Sequence, residues 1–457
     1  RILARVPWEP VVLVLAAAGL YEIRTRPLTP AAGPDLLLLV FPILFVAGLS
    51  GLVARALPRL LGALRGRIPA KRMPAFLAVR RLASAPRMAV LLVTGTSIAV
   101  GVLVYAGALA GSVDRTAEAK AVASAGSDLA VPLAAEPSGR SVGEAPPGAV
   151  APSTLVLRLG AGRLAPGGQV DVIAVDPATF EQGARWDGSF SERSLGALLD
   201  DLVPAGGGDR IPAIVAGDGA AVPRTGGLMV QGTPVAVTVV DRVHAFPGMR
   251  TAGRPLVVVD RGAIIDAVPE LAGLRSAVEE LWERGDAATL RSRLEAAGVD
   301  TTDAVTFQGV RQRPDLLALT WTIQLLLALG VTAGLVAVAA LFLYMQARQA
   351  QRDLAFALGR KMGLSDRAHR RALTLELGLM LGVAAASGAV LALAAAALVR
   401  ARVRVLPEAP GPTVAAAPWT MLVAVALGTV VVAMVGGRLA QRRARRTNVS
   451  EVLRLAA

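Results

Sequence analysis

The sequence predicts a membrane α-helical bundle of six transmembrane helices with an inserted extracytoplasmic mixed α/β domain. Three observations carry this: long apolar runs, a division of charge along the chain, and a central stretch of strand-like segments. The chain is 54% hydrophobic but only 4% aromatic and 18% charged. Leu, Val and Ala supply the apolar mass, as in long lipid-embedded helices. The net charge of +14 is unevenly placed. Val113 to Arg313 holds 19 Lys/Arg against 25 Asp/Glu, and the rest holds 29 against 9. The basic residues flank apolar runs, which argues for membrane topology and against a nucleic-acid-binding groove.

The spans are read near Trp8–Leu20, Leu36–Ala54, Met88–Ala110, Leu316–Met345, Leu373–Leu398 and Trp419–Leu439. About twenty apolar residues cross the hydrocarbon layer as a helix. The first run is short, between Pro7 and Glu22, and the fourth is long enough to extend past the lipid. Arg55 to Arg87 holds nine Lys/Arg and no acid. Arg348 to Arg371 holds seven against Asp353 and Asp366, and the tail from Arg438 holds six arginines against Glu451. By the positive-inside rule these face the cytoplasm, as do both ends. The expected domains are two connector helices (1–58), a basic linker with an amphipathic helix (59–87) and a first core span (88–112). The extracytoplasmic domain (113–313) follows, then three core spans (314–440) with a cytoplasmic segment 347–371, and a tail (441–457). The chain begins at Arg1 without a methionine, so further residues are expected upstream.

The central domain opens with SAGSDLAVPLAAEPSGRSVGEAPPGAV, a Pro/Gly/Ser-rich segment read as linker-like. STLVLRLG, QVDVIAVD, TPVAVTVVDRV and RPLVVVDR read as strands, with VAVTVV compatible with burial on both faces. GLRSAVEELWERGDAATLRSRLEAAG reads as helical, with Leu274, Val278 and Leu281 on one stripe and Leu290 and Leu294 further along.

No catalytic site is expected. There is no cysteine, so disulfide and thiol chemistry are excluded, and His244 and His369 are too few for a histidine-based zinc site. Asp176, Asp187 and Glu192 form no spacing that demands a metal or a carboxylate pair. Ser191 is read as a helix cap and Asp200 and Asp201 as water-facing. Gly206, Gly207 and Gly208 lack a following Lys-Ser or Lys-Thr, so no Walker A loop is present. Metal, cofactor-binding and catalytic residues are therefore all predicted as none.

The candidate residues lie elsewhere. In QARQAQRDLAFALGRKMGLSDRAHRRALTLELG, Leu354, Leu358 and Met362 share a helical face, with Arg360 and Lys361 around it. Gly363 stops that helix, and Ser365 caps the next. A knob of this kind suits either the lipid headgroup layer or a docking protein. Glu376 stands early in the following span, where a carboxylate is costly unless paired, hydrated or at the membrane edge. Gly330-xxx-Gly334 and Gly378-xxx-Gly382 offer small faces for helix packing, and Pro42 offers a bend in the second span.

Four features together resemble the FtsX-like, MacB-type permease domain of ABC transporters. PAFLAVRRLASAPRMAVLLVTGTSIAVGVLVYAG is similar to the family's opening, an Arg-rich amphipathic helix leading into the first core span. A large external domain follows. QRDLAFALGRKMGLSDRAHRRALTLELGLMLG is similar to the segment between the second and third core spans, departing mildly at GRKMGLS. NVSEVLRLAA is similar to the closing Asn-Pro-x-Glu-x-Leu-Arg, with Asn448, Glu451, Leu453 and Arg454 matching and Val449 in place of proline. The similarity covers roughly Pro74 to Leu455 and makes the chain look like the C-terminal half of a long two-repeat member.

The resemblance implies a multi-pass protein of a bacterial cytoplasmic membrane. It binds no cofactor itself and is worked by a pair of cytoplasmic ABC ATPase subunits that hold ATP and Mg. The coupling residues implied are Leu354, Phe356, Leu358, Arg360, Lys361, Met362, Gly363 and Leu364, with Glu376 as a charge at the membrane edge. ATP-driven closure of the partner is expected to move the external domain, for export, release of a lipid or lipoprotein, or activation of an external cell-wall enzyme. The alternative is an ATPase-independent membrane sensor or scaffold. An ion-driven transporter requires more intramembrane acids than the sequence offers.

Overall fold

The computed structural model describes residues 8–25, 36–65, 76–78, 82, 86–133, 143–165, 168–204, 210–217, 222–230, 232–273, 277–349, 365–400 and 405–446. The chain divides into two compact units. One gathers residues up to Gly111, Ala318–Val403 and the chain from Ala416; the other gathers Ser112–Leu317 and a short return segment ending at Ala415.

The helical unit holds α1 (Trp8–Thr25), α2 (Leu36–Arg65), the first part of α3 (Pro86–Ala125), most of α9 (Pro314–Ala347), α10 (Asp366–Val399) and α11 (Trp419–Arg446). Among the described residues five of these, α2, α3, α9, α10 and α11, are long and apolar enough to cross a membrane, as in a multi-pass membrane protein. Helix α1 falls short of that standard. It does not stop before Glu22 but continues to Thr25, so its 18 residues include Glu9, Glu22 and Arg24.

Helix α2 packs on both α1 and α10, and α10 on α11. One buried layer joins Ala54, Leu92, Leu341, Tyr344, Leu377 and Met380, and another joins Phe41, Val104, Tyr105, Leu326 and Ala392. Small residues set the crossing of α3 and α10. A side chain at Gly388 would run into the Ser97 carbonyl, and Ser97 Oγ lies 3.1 Å from Ser387 Oγ. This is close approach of two helices through small and hydroxyl residues. It does not use the pair read from sequence, since a side chain at Gly378 or Gly382 would meet open space, whereas Gly330 does pack tightly on Leu103. Pro42 lies within α2.

The inserted unit contains β1 (Leu129–Leu133), β2 (Ser153–Ala165), β3 (Gln169–Val175), α4 (Pro177–Gly183), α5 (Leu195–Asp200), β4 (Ile211–Ala216), β5 (Thr225–Val230), β6 (Thr233–Val243), β7 (Leu256–Asp260), α6 (Arg261–Ala267), β8 (Val278–Glu283), α7 (Ala287–Ala296), β9 (Val305–Thr306) and α8 (Phe307–Arg311). Strands β3, β7, β4, β6, β5 and β2 follow one another, and β2 pairs back onto β3, so these six close into a small barrel. Strands β8, β1 and β9 extend the sheet from β2. Strand alternation sorts the side chains. Val172, Val215, Val237 and Val257 fill the barrel, while Ile173, Ile214 and Val258 face outward onto a second core with Phe180, Leu198 and Phe246.

Three segments differ from the sequence reading. Val278–Glu283 is a strand rather than the start of a helix; Leu290 and Leu294, on α7, form the helical stripe, and Leu274 lies outside the described residues. The linker-like opening contains the buried strand β1. In β6, Val235 and Val237 point into the barrel, but Pro234, Ala236 and Val240 are exposed, because no further layer covers that wall among the described residues.

Candidate coupling site

Most of the residues that the family resemblance singled out lie outside the described residues. These are Leu354, Phe356, Leu358, Arg360, Lys361, Met362, Gly363 and Leu364, together with Asn448, Glu451, Leu453 and Arg454; the Gly206–Gly208 turn also lies outside the described residues. Of the coupling region, Ser365 caps α10, accepting a hydrogen bond from Ala368 N at 3.2 Å. Glu376 sits inside the helical unit, 1% exposed, on the same buried stripe of α10 as His369, Leu373, Leu377 and Met380. That stripe faces protein.

Two of the candidate carboxylates of the inserted unit hold a local cap or turn. Asp176 caps α4 by accepting from Ala178 N at 3.0 Å. Asp187 closes a turn through Ser189 N at 2.9 Å, and Glu192 is exposed. The cap of α5 is Ser194, not Ser191; Ser191 accepts from Arg193 N in a turn just before it. Asp200 and Asp201 are exposed, and Asp201 pairs with Arg193. Among the described residues, no three His, Asp or Glu side chains gather as they would around a metal ion.

What the structure does assemble is the anchorage of α3. This helix runs for 40 residues, about 60 Å at 1.5 Å per residue. Its residues through Gly111 belong to the helical unit and Ser112–Ala125 to the inserted unit. Ala119, Ala121, Ala123 and Ala125 are buried there, their small side chains letting the helix lie among Phe180, Phe246 and Trp282. Helix ends leave unpaired carbonyls, and the inserted unit meets these. Gly248 N donates to Ala123 O at 2.8 Å, Gly126 N to Val122 O at 2.9 Å, and Arg185 N to Gly126 O at 2.8 Å. Gly126 ends the helix with φ +77°, the left-handed conformation that favours glycine. Any side chain there would also strike the Trp282 ring.

Trp282 belongs to β8, and β8 carries three buried glutamates. Alternation puts Glu280 beside Trp282, whose Nε1 donates to Glu280 Oε2 at 3.0 Å. Arg158 on β2 and Arg250 each reach Glu280 Oε1 at 2.9 Å. Burial works to raise this carboxyl, but the two guanidiniums outweigh it and hold Glu280 below the usual glutamate range. On the other face Glu279 pairs with Arg261, and Glu283 pairs with Arg293 at 2.8 Å while accepting from Val150 N at 2.9 Å. Sequence reasoning missed this network. Three glutamates in six residues carry no strand signature, and each arginine comes from a different part of the chain.

The segment 405–415 lies between α10 and α11 and belongs to the inserted unit. Thr116 Oγ1 of α3 accepts from Val414 N at 3.0 Å and donates to Val414 O at 3.2 Å. The buried Lys120 donates from Nζ to Leu406 O at 2.9 Å, an oxygen that also accepts from Ala409 N at 3.0 Å. Leu406 has φ +47°, the single non-glycine with positive φ among the described residues. Such a backbone costs about 1–2 kcal/mol and persists only where its surroundings hold it.

No family model matches the chain, and no curated protein matches it.

Proposed function

We propose that this chain is a membrane permease subunit of the FtsX-like, MacB-type class, driven by ATP hydrolysis in separate cytoplasmic ABC ATPase subunits. ATP and Mg bind to the partner, and this chain supplies no catalytic group. The inserted α/β domain lies on the extracytoplasmic side, and both ends of the chain are cytoplasmic. Its displacement is the output: export of a substrate, release of a lipid or lipoprotein, or activation of an external partner.

The observation that carries this reading is helix α3. It is a single helix of 40 residues, and its last part, from Ser112, belongs to the inserted unit. Its last turns are seated in a core of Phe180, Phe246 and Trp282. The input is assigned to the segment 347–371, through the apolar face of Leu354, Leu358 and Met362. The mechanism is then a two-state element biased by nucleotide bound to another chain.

Affinity capture in mild detergent tests the proposal. An ATP-hydrolysing subunit is expected with the wild-type protein and is expected to be lost from the Leu354→Asp, Leu358→Asp double variant. Recovery of a folded protein with no ATPase in either form, across several nucleotide conditions, would overturn it and leave an ATPase-independent sensor or scaffold.

A further inference from the structure

We propose that the segment 405–415 is a reversible clasp, a third attachment of the inserted domain that closes on α3 through Thr116 and Lys120. The domain is spliced into the chain through α3 on one side and α9 on the other. The clasp adds a link that the order of elements does not require. It ties the domain to the connection between α10 and α11, because the segment lies within that connection.

Three observations converge. Thr116, Lys120 and Ala123 are spaced i, i+4, i+7 and so share one face of α3. Thr116 meets the Val414 backbone, Lys120 meets Leu406 O, and Gly411 lies flat against both Lys120 and Ala123. Gly411 has φ +119°, and a side chain there would come within 3.3 Å of Lys120 Cγ, so glycine at this point lets the segment close onto the helix. Val405, Leu406 and Ala409 are buried, which makes this a seated segment rather than a surface loop.

The reversibility rests on how the closure is made. The polar grip includes three hydrogen bonds and one long ion pair, Arg313 with Glu408 at 4.0 Å, both exposed. Against it stands the left-handed backbone of Leu406, tolerated only while the clasp is shut. Opening releases that strain and returns Leu406 O and the Lys120 ammonium to water. None of this depends on what drives the helices, so the clasp stands or falls separately from the ATPase reading.

Residues 1–457 hold no cysteine, so the introduced thiols are the only ones within them. In membranes holding the full chain, the Thr116→Cys, Val414→Cys double variant is expected to form a disulfide in most molecules under mild oxidation. Thr116→Cys alone is expected to react with a maleimide at least tenfold more slowly than Thr413→Cys, a position that is exposed. Adding Lys120→Met to Thr116→Cys is expected to speed labelling about tenfold, while Lys120→Arg restores slow labelling. Lys120→Met leaves Leu406 O its bond from Ala409 N, and near-UV circular dichroism of Trp186 and Trp282 checks that the domain remains folded. Failure of the disulfide, with the Thr116→Cys variant labelling as fast as the Thr413→Cys variant, would show that the segment is not seated on α3. A labelling rate indifferent to Lys120 would remove the catch and with it the clasp.

Discussion

Glu280 and Glu9 are both buried carboxylates, 1% and 2% exposed, yet the two units hold them differently. Glu280 has two arginines and an indole N–H, drawn from β2, the turn after β6 and its own strand. Glu9 has Arg55 at 2.7 Å on one oxygen, while its Oε2 has no hydrogen-bond partner among the described residues. Arg55 is itself 48% exposed. In the inserted unit the buried charge is over-determined by a network that also fixes the seat of α3. Glu9 of the helical unit is held by Arg55 at one oxygen, in the contact between α1 and α2. The surfaces differ in the same sense. Trp321, Leu325, Leu335 and Val336 of α9 are exposed, whereas the exposed large apolar residues of the inserted barrel and sheet are isolated valines. One unit is made for water and the other for hydrocarbon.

Breaking the networks gives the largest expected effect. Glu280→Ala leaves two guanidiniums facing a buried void and is expected to cost about 3–5 kcal/mol, read as a fall in the thermal midpoint of the inserted domain. Glu9→Ala is expected to cost about 1 kcal/mol or less, because Arg55 swings into water or headgroups. Equal losses from the two variants would erase the contrast.

A charge on each surface separates the two solvents. Leu335→Arg, near the middle of α9, is expected to cost about 2.5–3.5 kcal/mol of membrane insertion, measured as the integrated fraction. Val240→Arg on the barrel wall is expected to stay within about 0.5 kcal/mol. If Leu335→Arg integrates normally, α9 does not face hydrocarbon.

Acid sharpens the reading of Glu280. Its carboxyl is held below the ordinary value in the folded protein. Its ionised form therefore contributes stability that is present above the ordinary glutamate range and is lost as pH falls through the lower folded value. The midpoint difference between wild type and Glu280→Gln is expected to be constant near neutrality and to shrink only in the acid range below about pH 4. A difference that changes between about pH 6 and 8 would mean that another group governs the network.

The smallest effect tests local capping. Ser194→Ala is expected to cost about 1 kcal/mol through loss of the bond to Ala197 N, and Ser191→Ala only a few tenths. The reverse order would reassign the start of α5.

Features that depend on local pattern were legible. Long apolar runs between basic clusters are a local signal, so the positions of α2, α3, α9, α10 and α11 follow from it. Helix α1 shows the limit, since the apolar run after Trp8 suggested a span and the helix then ran on through Glu22 and Arg24. The alternation in STLVLRLG and QVDVIAVD marked β2 and β3 in the same local way. Ser365 was readable as a cap because capping needs only its own hydroxyl and the amide three residues on.

What the sequence by itself determined, then, is a helical membrane protein with a mixed α/β insertion, because helix length, apolarity and strand period are written within a dozen or two residues. The tertiary structure decided the rest. Barrel closure requires β2 to meet both β3 and β5, and neither pairing is encoded in one strand. Strand β8 became a strand because β1 and β2, far earlier in the chain, supply its hydrogen bonds on both sides, and arginines from four other places neutralise its glutamates. The clasp on α3 joins residues nearly 300 positions apart, Thr116 and Val414, so only folding could bring that hydroxyl to that backbone.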